Sequence, residues 1–199
     1  MTVLRPALTG TLGGVAATHW LASGVGMAML ERGGNAVDAA VAAGFALQVV
    51  EPHSNGLGGD VTIAVYSRAT STVRIICGQG PMPQAATIDR FAELGITQMP
   101  ASGVLPATVP GAFGAWLRLL GEFGTLPLED VLEPAIGYAD RGYPLLPPAA
   151  ATIAAMAPLF RTEWPESGRT YLPDGPGGGA DGVDPAGRAA AGSQPAEHD

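Results

Sequence analysis

The sequence contains no lysine; all ten basic residues are arginine, scattered from Arg5 to Arg188. Nucleic-acid recognition needs concentrated positive charge to meet the phosphates, and a chain of net charge −8 without a basic cluster offers none. A single cysteine, Cys77, excludes an intramolecular disulfide, and the histidines at 19, 53 and 198 build no zinc-type spacing with it. Cys77 closes the apolar run Val73-Arg74-Ile75-Ile76-Cys77, so a buried, inert thiol is expected. No cofactor or metal is called for by any motif. Long apolar runs are also missing: the longest, residues 36–50, is broken by Asp38 and Gln48 and falls short of the ~20 residues that span a bilayer. Met1-Thr2-Val3-Leu4-Arg5-Pro6 lacks the continuous apolar segment of a signal peptide. A mature cytoplasmic protein without a membrane partner is the expectation.

What is abundant is small. Glycine (29) and proline (18) make up nearly a quarter of the 199 residues, while hydrophobic residues reach 47% and charged ones only 14%. That balance excludes a wholly disordered, highly charged chain. Ser23 is a candidate N-cap for a first helix, closed by Gly33-Gly34. Asn35 then caps a second helix to Val50, apolar around almost its whole circumference and therefore predicted to be buried. The glycine-rich turn His53-Ser54-Asn55-Gly56-Leu57-Gly58-Gly59-Asp60 leads into alternating Val61, Ile63 and Val65, and Val73 to Cys77 completes a β-hairpin. Helices are predicted near 88–94, after Val109-Pro110-Gly111 as an amphipathic helix carrying Phe113, Trp116, Leu117 and Leu120, from Leu128 to Ala139 with Pro134 bending or dividing it, and from Ala149 to Phe160 after Pro147-Pro148. From Asp174 the character changes: 16 of the last 26 residues are Gly, Pro or Ala, and Val183 is the only large apolar side chain. Such a segment buries too little surface to offset chain entropy, so 174–199 is read as a disordered tail following a single domain over 1–173.

Few polar residues are placed for chemistry. The turn at 53–60 lacks a Walker lysine and runs from helix to strand, the wrong context for a phosphate or dinucleotide cradle. Ser54 stands between His53 and Asn55, outside any Gly-x-Ser-x-Gly elbow. On these features alone the chain is an α/β domain of unreadable function.

The order of its blocks says more. Ala17-Thr18-His19-Trp20-Leu21-Ala22-Ser23 is followed by Glu31-Arg32-Gly33-Gly34-Asn35-Ala36-Val37-Asp38-Ala39-Ala40-Val41-Ala42-Ala43, then by Val50-Glu51-Pro52-His53-Ser54-Asn55-Gly56-Leu57-Gly58-Gly59. Val109-Pro110-Gly111, Phe123-Gly124-Thr125-Leu126-Pro127-Leu128 and Pro134-Ala135-Ile136 continue the series. Over roughly residues 10–173 this resembles the start of the γ-glutamyltransferase family. The resemblance implies an N-terminal-nucleophile hydrolase with an αββα sandwich, of which this chain would hold an incomplete part. Such enzymes are made as one precursor that cuts itself into a large and a small subunit. The small subunit's new N-terminal threonine attacks an amide, with its own α-amine as general base.

Two departures from that pattern follow. The family's Thr-Thr-His processing block does not occur here, and Ala17-Thr18-His19 belongs to the large subunit's opening block. No catalytic residue is therefore assigned in this chain, Thr18 included, and a small subunit is the expected partner. Secondly, the arginine that grips a γ-glutamyl α-carboxylate in the family aligns with Gln79, within Gly78-Gln79-Gly80-Pro81. A neutral amide does not form the charge-assisted bidentate pair, so Gln79 is the one candidate substrate-binding residue, and it favours a branch acting on other small amides, of the oxamate-amidohydrolase kind. An ordinary loop residue is the competing reading of Gln79. For the whole chain the competing reading is a truncated, non-catalytic remnant whose tail stems from a frameshift in a GC-rich gene.

Overall fold

The computed structural model describes residues 9–101 and 103–172; the tail expected at 174–199 lies outside them. In chain order the elements are α1 (Trp20–Glu31), α2 (Ala36–Val50), β1 (Thr62–Ser67), β2 (Thr72–Cys77), α3 (Ile88–Glu93), α4 (Ala112–Phe123), α5 (Leu128–Arg141), α6 (Pro147–Thr162) and α7 (Pro165–Tyr171). They form two compact units, one from the segments up to Asn55 and from Thr125 onward, the other from Gly56 to Gly124.

The first unit is helical and built around α2, which packs against α1 on one side and α5 on another. Val41, Ala42, Phe45, Ala46 and Val50 are buried along α2, as its all-round apolar sequence predicts. Each fully buried valine or phenylalanine contributes about 1.5–3 kcal/mol. Close approach explains the small residues: a Cβ on Gly26 of α1 would stand 3.0 Å from the Ala39 carbonyl oxygen of α2. Replacing Ala42, fully buried, by glutamine is expected to cost about 3 kcal/mol by overpacking and unpaired polar burial. A chemical-denaturation midpoint unchanged by Ala42→Gln would show that this helix is not enclosed.

The ends of α1 and α2 are set by side chains. Ser23 lies inside α1 rather than capping it, because His19 supplies the cap acceptor one turn earlier; the Ser23 hydroxyl instead accepts from the Ala17 N–H at 3.0 Å. At the other end Gly33 takes φ +89° and the Gly34 N–H returns to the Met29 carbonyl at 2.9 Å. Asn35 caps α2 as expected, within a capping box completed by Asp38. Two further expectations change in the later helices. α5 runs unbroken through Pro134, with Val131 and Ala135 buried on either side of it. α6 begins at Pro147 itself, since the first helical turn needs no N–H from proline. The short α7, packed on α6, was not anticipated from the sequence.

The second unit holds the antiparallel hairpin β1–β2, in register from Thr62 opposite Cys77 to Ser67 opposite Thr72. α4 packs on β2, and Ile76 is buried. Tyr66, Val73 and Ile75, on the opposite face, are 64%, 61% and 60% exposed. Cys77 shares that face and is exposed, which corrects the expectation of a buried thiol. The alternation of β2 places Cys77 opposite to Ile76, and among the described residues only the Ile76 side is covered. Among the described residues the sheet has two strands, so the fold is mixed α and β without a visible sandwich.

Candidate functional site

Gln79 follows β2 after one intervening residue, Gly78, in a segment whose backbone has no room for side chains on either side. The Gly78 N–H donates to the Val61 carbonyl at 2.7 Å, and a Cβ on Gly78 would lie 2.6 Å from that of Ala115. A Cβ on Gly80 would fall 1.5 Å from the Val109 carbonyl oxygen, and one on Gly111 would fall 2.2 Å from that of Gly78. The Val109 N–H donates to Pro81 at 2.9 Å, and those of Gly111 and Ala112 donate to Gly59 at 3.2 and 3.1 Å. Three glycine-bearing blocks, distant in sequence, thus cross at backbone contact. Between the two pinned glycines the Gln79 side chain is exposed, its Oε1 3.8 Å from the Cys77 Sγ. It presents an uncharged amide, both donor and acceptor, from a fixed position.

The other candidates lie in the helical unit. The Thr18 hydroxyl donates to Glu51 Oε2 at 2.5 Å. His19 is fully buried, and its Nδ1 accepts the Leu21 N–H at 3.1 Å. Burial pushes its pKa below the ordinary histidine value, against a smaller upward pull from Glu51. Asp38 is likewise fully buried. Its Oδ1 accepts the N–H groups of Thr125 (2.8 Å) and Leu126 (3.1 Å), and its Oδ2 accepts from Asn35 N–H (2.7 Å) and the Thr125 hydroxyl (2.6 Å). Burial alone would raise its pKa, but the hydrogen bonds from Thr125, Asn35 and Leu126 outweigh it and hold the carboxyl below the usual range. This saturated carboxylate joins α2 to the segment entering α5 and has no capacity left for a substrate.

His53 lines an apolar cleft of about 260 Å³ with Pro52, Met156, Phe160, Trp164 and Tyr171. The Phe160 ring lies 6.2 Å from those of both Trp164 and Tyr171. Among the described residues no group of three or more His, Cys, Asp or Glu side chains stands close enough to hold a metal ion, and no helix is long and apolar enough to cross a membrane. Asp38 and Glu51 were not singled out from the sequence. The Asn35-x-x-Asp38 spacing of a capping box was the available signal for the first, whereas its bonds to Thr125 and Leu126 had none.

The family model described as Gamma-glutamyltranspeptidase matches residues 22–179. The chain belongs to the gamma-glutamyltranspeptidase family. Within that family it is 41% identical over 143 residues to the glutathione hydrolase-like YwrD proenzyme of Bacillus subtilis (strain 168), covering 71% of this chain and 27% of the relative. It is 40% identical over 153 residues to the acylase ACY 1 proenzyme of Pseudomonas sp. (strain V22), covering 72% of this chain and 27% of the relative. Among solved structures, LmbA2991HD superposes with a TM-score of 0.83 at 48% identity, over 88% of this chain and 30% of that one. The gamma-glutamyltranspeptidase of Helicobacter pylori gives 0.77 at 31% identity, over 83% and 48%. The chain therefore spans about a quarter of the length of these two curated relatives.

Proposed function

We propose that this chain is the N-terminal portion of the large subunit of an N-terminal-nucleophile amide hydrolase or acyltransferase, and that it has no catalytic activity without a nucleophile-bearing small subunit. The observation that carries the reading is the family match over the opening part of the relatives. The one threonine in an Ala-Thr-His setting, Thr18, follows Ala17 in the chain, so its nitrogen is in a peptide bond and is no α-amine to serve as base. The nucleophile and the acyl-enzyme then belong to the partner, and the rest of the sandwich is shared between the partner and the remainder of the large subunit. Relatives named as glutathione hydrolase-like and as acylase match almost equally well. That parity suits a scaffold whose amide substrate is set by few residues.

Gln79 is the residue proposed to set it here. An exposed amide on a rigid backbone crossing selects a neutral polar group, and it lacks the positive charge that an α-carboxylate would require. The substrate is accordingly a small amide other than a γ-glutamyl compound. The test is a chimera in which this chain replaces the matching quarter of the YwrD proenzyme. The expected result is self-processing and poor hydrolysis of γ-glutamyl-p-nitroanilide. Gln79→Arg should improve that hydrolysis about ten- to a hundred-fold, the worth of one charge-assisted contact. Efficient turnover of the γ-glutamyl anilide by the Gln79 chimera, with no gain from arginine, would overturn the assignment.

A further inference from the structure

Side chains favoured at a helix N-cap, those of Ser, Thr, Asp and Asn, keep their acceptor oxygen across the neutral range. α1 uses a histidine instead. His19 has the extended backbone of an N-cap (φ −113°, ψ 132°), and its Nδ1 accepts the Leu21 N–H. An accepting Nδ1 places the proton of the neutral ring on Nε2, which is buried and has no hydrogen-bond partner among the described residues. The charged group facing the ring is Glu51, at the end of α2, whose carboxylate accepts from Thr18, the residue just before the cap. The neighbouring Trp20 ring stacks at 6.0 Å.

We propose that His19 is a proton-operated catch on the start of α1: the neutral ring caps the helix, and uptake of one proton from solvent releases its first turn. The added proton sits on Nδ1, so that a donor faces the Leu21 N–H donor and the cap bond is lost. The resulting imidazolium has Glu51 as its facing counter-charge, the carboxylate to which the Thr18 hydroxyl donates. One proton therefore removes the cap bond and adds a positive charge beside the Thr18–Glu51 pair. The direction follows from the lowered folded-state pKa. The unfolded chain binds the proton more readily, so the cap's stabilisation is complete above about pH 6.5 and declines as pH falls towards the folded-state value.

The test is a proton titration of the full 199-residue chain by NMR from pH 8 to 5, reading the His19 Cε1–H and the Leu21 and Ala22 amides. The Leu21 amide should shift with the ring's midpoint, below about 6.5, and lose about fivefold in exchange protection after correction for intrinsic rates. His19→Asn keeps a cap acceptor that does not titrate and should stay flat. Glu51→Gln removes the facing charge and should move the midpoint lower still. A Leu21 amide that stays unchanged while the ring titrates would overturn the proposal, as would the same transition in His19→Asn. A midpoint that does not move in Glu51→Gln would remove Glu51 from it.

Discussion

Asp38→Ala is expected to lower the unfolding free energy by about 3–5 kcal/mol, measured by urea denaturation. The substitution leaves three backbone N–H groups and the Thr125 hydroxyl without their acceptor at a fully buried site. It also breaks the capping box of α2 and the tie to the start of α5 in the same step. Asp38→Asn, which keeps one acceptor oxygen and loses the charge, should fall between. The effect has a pH signature. With the folded carboxyl held below its unfolded value, its stabilisation is complete above about pH 3.9 and is lost as pH falls through the folded-state pKa. The gap between wild type and Asp38→Ala should narrow only in that acid range. A loss under about 1 kcal/mol at neutral pH would mean that the network does not hold the helical unit together.

In the hairpin unit the largest effect is expected from Gly80→Ala, at about 3 kcal/mol, because the added methyl meets backbone rather than a flexible side chain. Its Cβ would fall 1.5 Å from the Val109 carbonyl oxygen, so the 78–81 segment or the 109–111 segment has to move. Gly58→Ala, which meets nothing within 4 Å, is the matched control and should be nearly neutral. Thermal unfolding monitored near Trp116 distinguishes them. Equal midpoints for both variants would show that the crossing is loose and that Gln79 is not held in place.

Much of the helical unit is legible locally. Asn35 with Asp38 three residues on, the glycines at 33–34, and an alanine-rich run apolar on all sides together fix where α2 starts and how deeply it lies. What local pattern does not contain is the partner 87 residues away that saturates Asp38. Ser23 was a favourable cap by type, but His19 competes from four residues earlier with a ring nitrogen that propensity rankings place low. Cys77 shows the converse limit. An apolar strand signals that both faces suit burial, not that this chain covers both. The tight crossing around residue 79 has no local signature, because the glycines at 78, 80 and 111 are demanded by approaches between distant segments that no periodicity reveals.

On the proposed function, this chain carries the family's architecture without its nucleophile. The direct test is to purify it, hold it at neutral pH, and follow its intact mass together with hydrolysis of an amide panel that includes γ-glutamyl-p-nitroanilide. An unchanged mass and no turnover are predicted, with Thr18→Ala indistinguishable from wild type. A cleaved product with a new N-terminal threonine, or turnover abolished by Thr18→Ala, would contradict it.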